Sequence, residues 1–165
     1  MLSFVESYRN LTKIKTPEFT KFNISDLYSN ITTLLNDELN TNHINLISEV
    51  EPKNLQINAD EKPITQVLMN LMKNAIESLL NKKNGQIKLE ASFGAESSLL
   101  LKVIDNGTGF NQDIIDQIFI PFFSTKKEGS GIGLSLSRQI INLHQGRIFV
   151  HSIPDKETTF TLIFI

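Results

Sequence analysis

Asp105-Asn106-Gly107-Thr108-Gly109-Phe110, then Phe119-Ile120-Pro121-Phe122-Phe123-Ser124-Thr125-Lys126, then Gly129-Ser130-Gly131-Ile132-Gly133-Leu134 are three loop signatures in one short span. Asp105 follows Leu99–Ile104, a run that reads as a strand, and precedes two glycines spaced by two. A carboxylate at a strand end with no positive partner nearby can accept a hydrogen bond from an exocyclic amine such as adenine N6. Gly107 and Gly109 then let backbone approach a base or sugar closely. The same residues also suit a simple Asn-Gly turn. Gly129 to Gly133 opens a helix, and a Gly-rich turn feeding a helix N-terminus presents free N–H groups to phosphate. No Lys-Ser/Thr pair follows the last Gly, so this is not a Walker loop. Leu134 stands where a dinucleotide fingerprint needs its final Gly.

Upstream lies an amide-rich helix, Gln66-Val67-Leu68-Met69-Asn70-Leu71-Met72-Lys73-Asn74-Ala75. Gln66, Asn70, Asn74 and Ser78 are spaced by four and share one face, while Val67, Leu68 and Leu71 turn toward another. Amides in a helix interior carry a propensity cost. Either the stripe is a solvated face, or an amide oxygen completes a Mg²⁺ shell otherwise filled by phosphates and waters, for which one Asn suffices. The aromatic loop also has two readings. Its Phe residues anchor it to a core, or it hinges a lid from which Lys126 or Lys127 swings onto a terminal phosphate. The four segments in this order point to nucleotide binding with a metal and a mobile lid.

The rest of the chain frames that site. Its 165 residues, 40% of them apolar, suffice for one domain with a real core. A formal charge of -2 offers no polycationic face for nucleic acid. The absence of Cys excludes disulfides and thiolate metal sites and fits a reducing, cytoplasmic setting. No apolar run is long enough to span a membrane, and the N-terminus has no signal-peptide pattern. Residues 1–14 carry helical periodicity at Phe4, Tyr8 and Leu11, and Thr16-Pro17 ends that helix. Strands are expected at Phe19–Phe22, Ile44–Val50, Leu55–Ile57, Gln86–Phe93, Leu99–Ile104, Arg147–Ile153 and Thr158–Ile165. Helices are expected from Asn23 or Ser25 to about Leu39, from an Asp60 cap to about Leu80, near Asp113–Ile118, and from Gly133 to about His144. Paired strands with helices between them suggest an α+β two-layer sandwich.

These four segments resemble the N, G1, F and G2 boxes of the catalytic ATP-binding domain of sensor histidine kinases, within the GHKL ATPase superfamily. The resemblance covers Phe19 to Ile165. It implies a mixed sheet of about five strands covered by three helices, with ATP held between the Asn helix and the lid. It also implies two units: residues 1–16 as the C-terminal end of a dimerisation helix, and 17–165 as the catalytic domain. By this likeness Asn74 is the Mg²⁺ ligand and Asn70 its polar partner one turn earlier. Asp105 reads adenine. Gly107, Gly109, Gly129, Gly131 and Gly133 are the glycines of the two G boxes, with Ser130, Ile132 and Leu134 among them. Phe119, Thr125 and Lys126 belong to the lid, and Thr158 supports the Asp–adenine contact.

The chain departs from the family at three places. Glu77 stands where many relatives carry Lys or Arg, so Lys73 or Lys126 takes the phosphate contact. Ser78 replaces a frequent aromatic, and Glu157 replaces the usual Gly before the Thr. The superfamily's hydrolases place a Glu one turn before the metal Asn, where this chain has Asn70, which cannot serve as a base. Transfer to a protein side chain is therefore favoured over hydrolysis. The family's acceptor His lies on an upstream helix, and none of His43, His144 and His151 has that context. The implied partners are the phosphoacceptor helices of a parent kinase, which can itself be membrane-anchored, and a response regulator. The alternatives are a stand-alone anti-sigma-factor-type serine kinase and an ATP-sensing module without transfer.

Overall fold

The computed structural model describes residues 15–125 and 129–165. The helix expected over residues 1–14 and the candidate phosphate contact Lys126 lie outside them. In chain order the elements are β1 (Thr20–Asn23), α1 (Ile24–Thr41), β2 (Asn45–Glu51), β3 (Gln56–Ala59), α2 (Glu61–Ser78), β4 (Gln86–Phe93), β5 (Leu99–Asp105), a short α3 (Gln112–Ile115), α4 (Gly133–Leu143), β6 (Arg147–Ile153) and β7 (Glu157–Phe164).

Five strands form one mixed sheet in the order β2-β4-β5-β7-β6. The β2–β4 pair is parallel and the other three are antiparallel. β1 and β3 pair separately as a small antiparallel ribbon. Alternation decides which face is covered. Ile87, Leu89 and Ala91 of β4, Leu101 and Val103 of β5, and Phe160 and Leu162 of β7 are buried on one side. They meet the apolar stripes of the helices, of which α2 contributes Ile64, Val67, Leu68, Leu71, Met72, Ala75 and Ile76. Each such side chain larger than Ala contributes roughly 1.5–3 kcal/mol of burial. The opposite face carries charge: Lys88 bridges Glu49 at 2.9 Å and Glu90 at 2.7 Å, and Lys102 approaches Glu90 at 3.7 Å. These ions are substantially solvated, so they keep the face wet rather than hold the fold. The two-layer α+β sandwich with three long helices is the architecture expected from the sequence.

Two local details differ from expectation. Asp60 and Asn23 occupy helix N-cap positions, yet neither side chain caps its helix. Asp60 instead accepts the Glu18 N–H at 3.0 Å, and the Asn23 amide donates to Asp26. α2 stops at Ser78 rather than Leu80, because Leu79 is buried while Leu80 turns outward, and the Lys82 N–H folds back onto the Leu79 carbonyl.

The topology brings chemistry to one end of the sandwich. β5 is central in the sheet and ends at Asp105, and its register with β7 sets Thr158 directly opposite. The chain then leaves the sheet for a long loop that includes the short α3, and enters α4, which packs beside α2.

Candidate functional site

Between α2, the end of β5 and the start of α4 lies an open cleft of about 550 Å³. Asn70, Lys73, Asn74 and Ser78 line it from α2. Asp105 and Gly109 line it from the sheet end, Thr158 and Phe160 from β7, and Thr125, Gly129, Ser130, Gly131, Gly133 and Leu134 from the loop and α4. The residues singled out from the sequence thus converge from four separate segments. Gly107, Phe119 and Ile132 do not reach the cleft wall.

Phe119, expected to belong to the ligand site, makes core contacts instead of lining this cleft. It is buried, lies edge-on to Phe160 with ring centroids 6.4 Å apart, and carries the Arg138 guanidinium 4.0 Å above its ring. Phe110 meets the same Phe160 edge-on at 6.3 Å. The aromatics therefore pin the loop's two shoulders to one core residue, and Phe123, not Phe119, faces the cleft. Ile132 is buried and borders a smaller hollow of about 200 Å³ between α2 and α4.

Asp105 is the buried charge of the site. Its Oδ1 accepts the Ser78 hydroxyl at 2.8 Å and the Gly107 N–H at 2.8 Å. Burial pushes its carboxyl above the ordinary carboxylate value. The Ser78 hydroxyl, the Gly107 N–H and the positive charge of Lys82 pull it back, and Glu157 pushes it further up. The nearby cation was not expected: Lys82 donates to the Asn106 carbonyl, close enough to act on Asp105. The turn itself is tied down, since the Asn106 side chain accepts from the Gln86 N–H and donates to the Asn84 carbonyl. Gly107 is required by close approach, because a Cβ there would sit 2.0 Å from the Ser78 hydroxyl.

Three members of the amide stripe, Asn70, Asn74 and Ser78, are partly buried on the cleft wall, while Gln66 at its start is exposed. Asn70 donates to the Ser137 hydroxyl at 3.1 Å, and Ser137 in turn donates to the Gly133 carbonyl at 2.9 Å, so Asn70 holds the first turn of α4 against α2. Asn74 lies one turn further along on the cleft wall, and Lys73 is exposed at its rim. At the loop's far end the Phe122 N–H donates to the Gly131 carbonyl at 2.9 Å. Gly131 has φ +65°, and a Cβ would lie 2.5 Å from the Phe122 backbone, so only Gly closes this crossing.

Sequence reasoning missed three partners. Ser78 was legible as the fourth member of the stripe, but its contact with Asp105 was not. Ser152, buried in β6, accepts the Phe110 N–H at 2.9 Å and shares a hydrogen bond of 2.9 Å with Thr158. Ser137 carried no local signal at all.

The histidines are placed without ambiguity. His43 is exposed in a left-handed turn, and His151 is exposed on β6. His144 is buried at the end of α4. Its Nδ1 donates to the Ile140 carbonyl at 2.8 Å, and its Nε2 accepts the Asp60 N–H at 3.1 Å. Those two partners require the neutral ring with its proton on Nδ1. Among the described residues no histidine lines the cleft.

Known proteins resemble this chain in sequence and in fold. The family model described as "Histidine kinase-, DNA gyrase B-, and HSP90-like ATPase" matches residues 59–165. The signal transduction histidine-protein kinase AtoS of Escherichia coli (strain K12) is 40% identical over 73% of this chain. Sporulation kinase A of Bacillus subtilis (strain 168) is 34% identical over 86% of it. The chain spans 19% and 23% of the length of these two curated relatives. Among solved structures, a nucleotide-free catalytic domain of histidine kinase ThkA superposes with TM-score 0.79 at 32% identity, covering 89% of this chain and 95% of that one. ThkA in complex with the response regulator protein TrrA superposes with TM-score 0.82 at 28% identity, covering 99% of this chain and 46% of that one. The chain belongs to the histidine kinase-, DNA gyrase B- and HSP90-like ATPase family and is the catalytic ATP-binding domain of a sensor histidine kinase.

Proposed function

We propose that this domain binds ATP with Mg²⁺ in the cleft between α2 and α4 and transfers its γ-phosphoryl group to a histidine on an upstream helix of the same kinase. The observation that supports this most strongly is Asp105. It is a buried carboxylate at the cleft floor, held by the Ser78 hydroxyl and the Gly107 N–H, and opposite Thr158 across the β5–β7 pair. In this reading Asp105 accepts the exocyclic amine of adenine. The Gly129–Gly133 turn and the opening of α4 face the phosphates, where a helix N-terminus with free N–H groups suits an anion. Lys73 at the rim, and Lys126, supply the positive charge that Glu77 does not.

The donor set fits a hard cation. Asn74 presents an amide on the cleft wall, and no cluster of three His, Cys, Asp or Glu that could bind a metal by itself exists among the described residues. Mg²⁺ held by one protein oxygen, phosphates and waters matches that set. When bound, the ion neutralises charge on the phosphate oxygens. The chain's own part is positional. Asn70 clamps α4 to α2, the Phe110–Phe160–Phe119 cluster anchors the lid, and the base is fixed at Asp105. Asn70 cannot take a proton from water, so the bound nucleotide is kept for an external nucleophile.

The related ThkA was crystallised with a response regulator, and we infer that the parent of this domain likewise serves one. Calorimetric titration with ATP tests the metal assignment. Wild type should bind more tightly with Mg²⁺ than with EDTA, and Asn74→Ala should lose most of that difference. Equal dependence on Mg²⁺ in both proteins would refute Asn74 as the ligand.

A further inference from the structure

Ser78 sits where the nucleobase site meets α2, and its hydroxyl has one hydrogen for two acceptors. The Ala75 carbonyl and Asp105 Oδ1 both lie 2.8 Å from Ser78 Oγ. A serine at the end of a helix commonly satisfies itself on a backbone carbonyl one turn back. Here a carboxylate at the same distance competes for that hydrogen, and an ionised carboxylate is the stronger acceptor. With the hydrogen on Ala75 instead, Ser78 would turn a lone pair onto Oδ1, which repels an ionised Asp105. The Gly107 N–H takes the other position on Oδ1 at 2.8 Å. Both protein donors therefore converge on one oxygen of the carboxylate. No protein group among the described residues is bonded to Oδ2. Among the described residues no buried side-chain oxygen or nitrogen lacks a partner, so Oδ2 keeps access to the cleft that Asp105 lines.

We propose that Ser78 is a specificity-determining, positioning residue for the nucleobase. By occupying Oδ1 together with the Gly107 N–H, it leaves Oδ2 as the acceptor offered to the ligand. A base with an exocyclic amine at that point is taken, and a base with a carbonyl there is refused. The inference rests on the reading of Asp105 as the base acceptor. It goes further in assigning the selectivity to a serine of the amide stripe, whose contact with Asp105 spans 27 residues of sequence. The physics is the asymmetry of polar recognition: a buried acceptor left facing a carbonyl loses its hydrogen bond and gains a repulsion.

Calorimetry with ATP and inosine triphosphate isolates the contact, because the second nucleotide replaces the exocyclic amine by a carbonyl. Wild type should prefer ATP. Ser78→Ala and Ser78→Cys both remove the hydroxyl donor, the second keeping a side chain of similar shape. Each should reduce the ATP-to-inosine-triphosphate affinity ratio roughly tenfold, mainly by weakening ATP. A ratio unchanged in both variants, or an equal loss for the two nucleotides, overturns the proposal and leaves Ser78 a structural residue. Asp105→Asn separates this from the reading beneath it. If that substitution leaves the ratio at its wild-type value, Asp105 is not the base acceptor and both inferences fall. If it collapses the ratio while the Ser78 variants do not, the role of Ser78 alone is refuted.

Discussion

At the scale of single residues the site trades stability for recognition. Burial holds the Asp105 carboxyl above its ordinary value, so the folded chain binds that proton more tightly than the unfolded chain does. Its contribution to stability is fully present below the unfolded value and is lost as pH rises through the raised folded value. Asp105→Asn should therefore melt no lower than wild type at neutral pH, because Asn can still accept from Ser78 and Gly107. The same substitution should weaken ATP binding by roughly 10–150-fold, the worth of a charge-assisted hydrogen bond. Wild-type ATP affinity should fall as pH is lowered through the raised value, and the variant's should stay flat. A variant that melts well below wild type yet binds ATP equally would reverse this account. Asp105, Asn70, Asn74 and the glycines could be picked out from the sequence because each is an oddity in its local setting: an amide in a helix, or a carboxylate at a strand end. Ser137 and Ser152 could not, and Ser78 showed only as a member of the stripe, without its contact to Asp105. A serine is locally ordinary, and its meaning here comes from partners brought near by the sheet register and the packing of α2 on α4.

At the scale of elements, β4 (Gln86–Phe93) and β6 (Arg147–Ile153) run over the residues expected, since alternation with one wet face is a strong signal. Helix ends were less legible. Asp60 looked like a cap, but its carboxylate serves the Glu18 N–H, a contact across 42 residues that no local rule contains. The aromatic loop left two readings open, a core anchor and a lid, and they call on different residues. Phe119 is an anchor under Arg138, while Phe123 faces the cleft and Ile120 and Phe122 are exposed. That division suits a lid: fixed shoulders at Phe110 and Phe119, with the exposed Ile120 and Phe122 between Phe119 and the Gly131 crossing. We expect ATP to order it. Chymotryptic cleavage at Phe122 should slow when ATP and Mg²⁺ are added, and the slowing should be absent in Asp105→Asn at the same nucleotide concentration. Cleavage at one rate with and without nucleotide would count against a closing lid.

At the scale of the whole molecule, the α+β sandwich brings Asn74, Asp105 and Thr158 to one end, and among the described residues no histidine lines the cleft there. His144 is committed to Ile140 and Asp60 by both ring nitrogens, and His43 and His151 stand outside the cleft. Phosphoryl transfer needs a nucleophile held in line with the γ-phosphate, so this chain should bind ATP without labelling itself. The account's central claim, that the phosphoryl group goes to a histidine outside this chain, is tested most directly with γ-radiolabelled ATP and the kinase's upstream helices supplied in trans. The account predicts no stoichiometric label on this chain alone, acid-labile phosphohistidine on the added helices, and loss of that label with Asn74→Ala. Stoichiometric label on His43, His144 or His151, or acid-stable phosphoserine on the added protein, would contradict it.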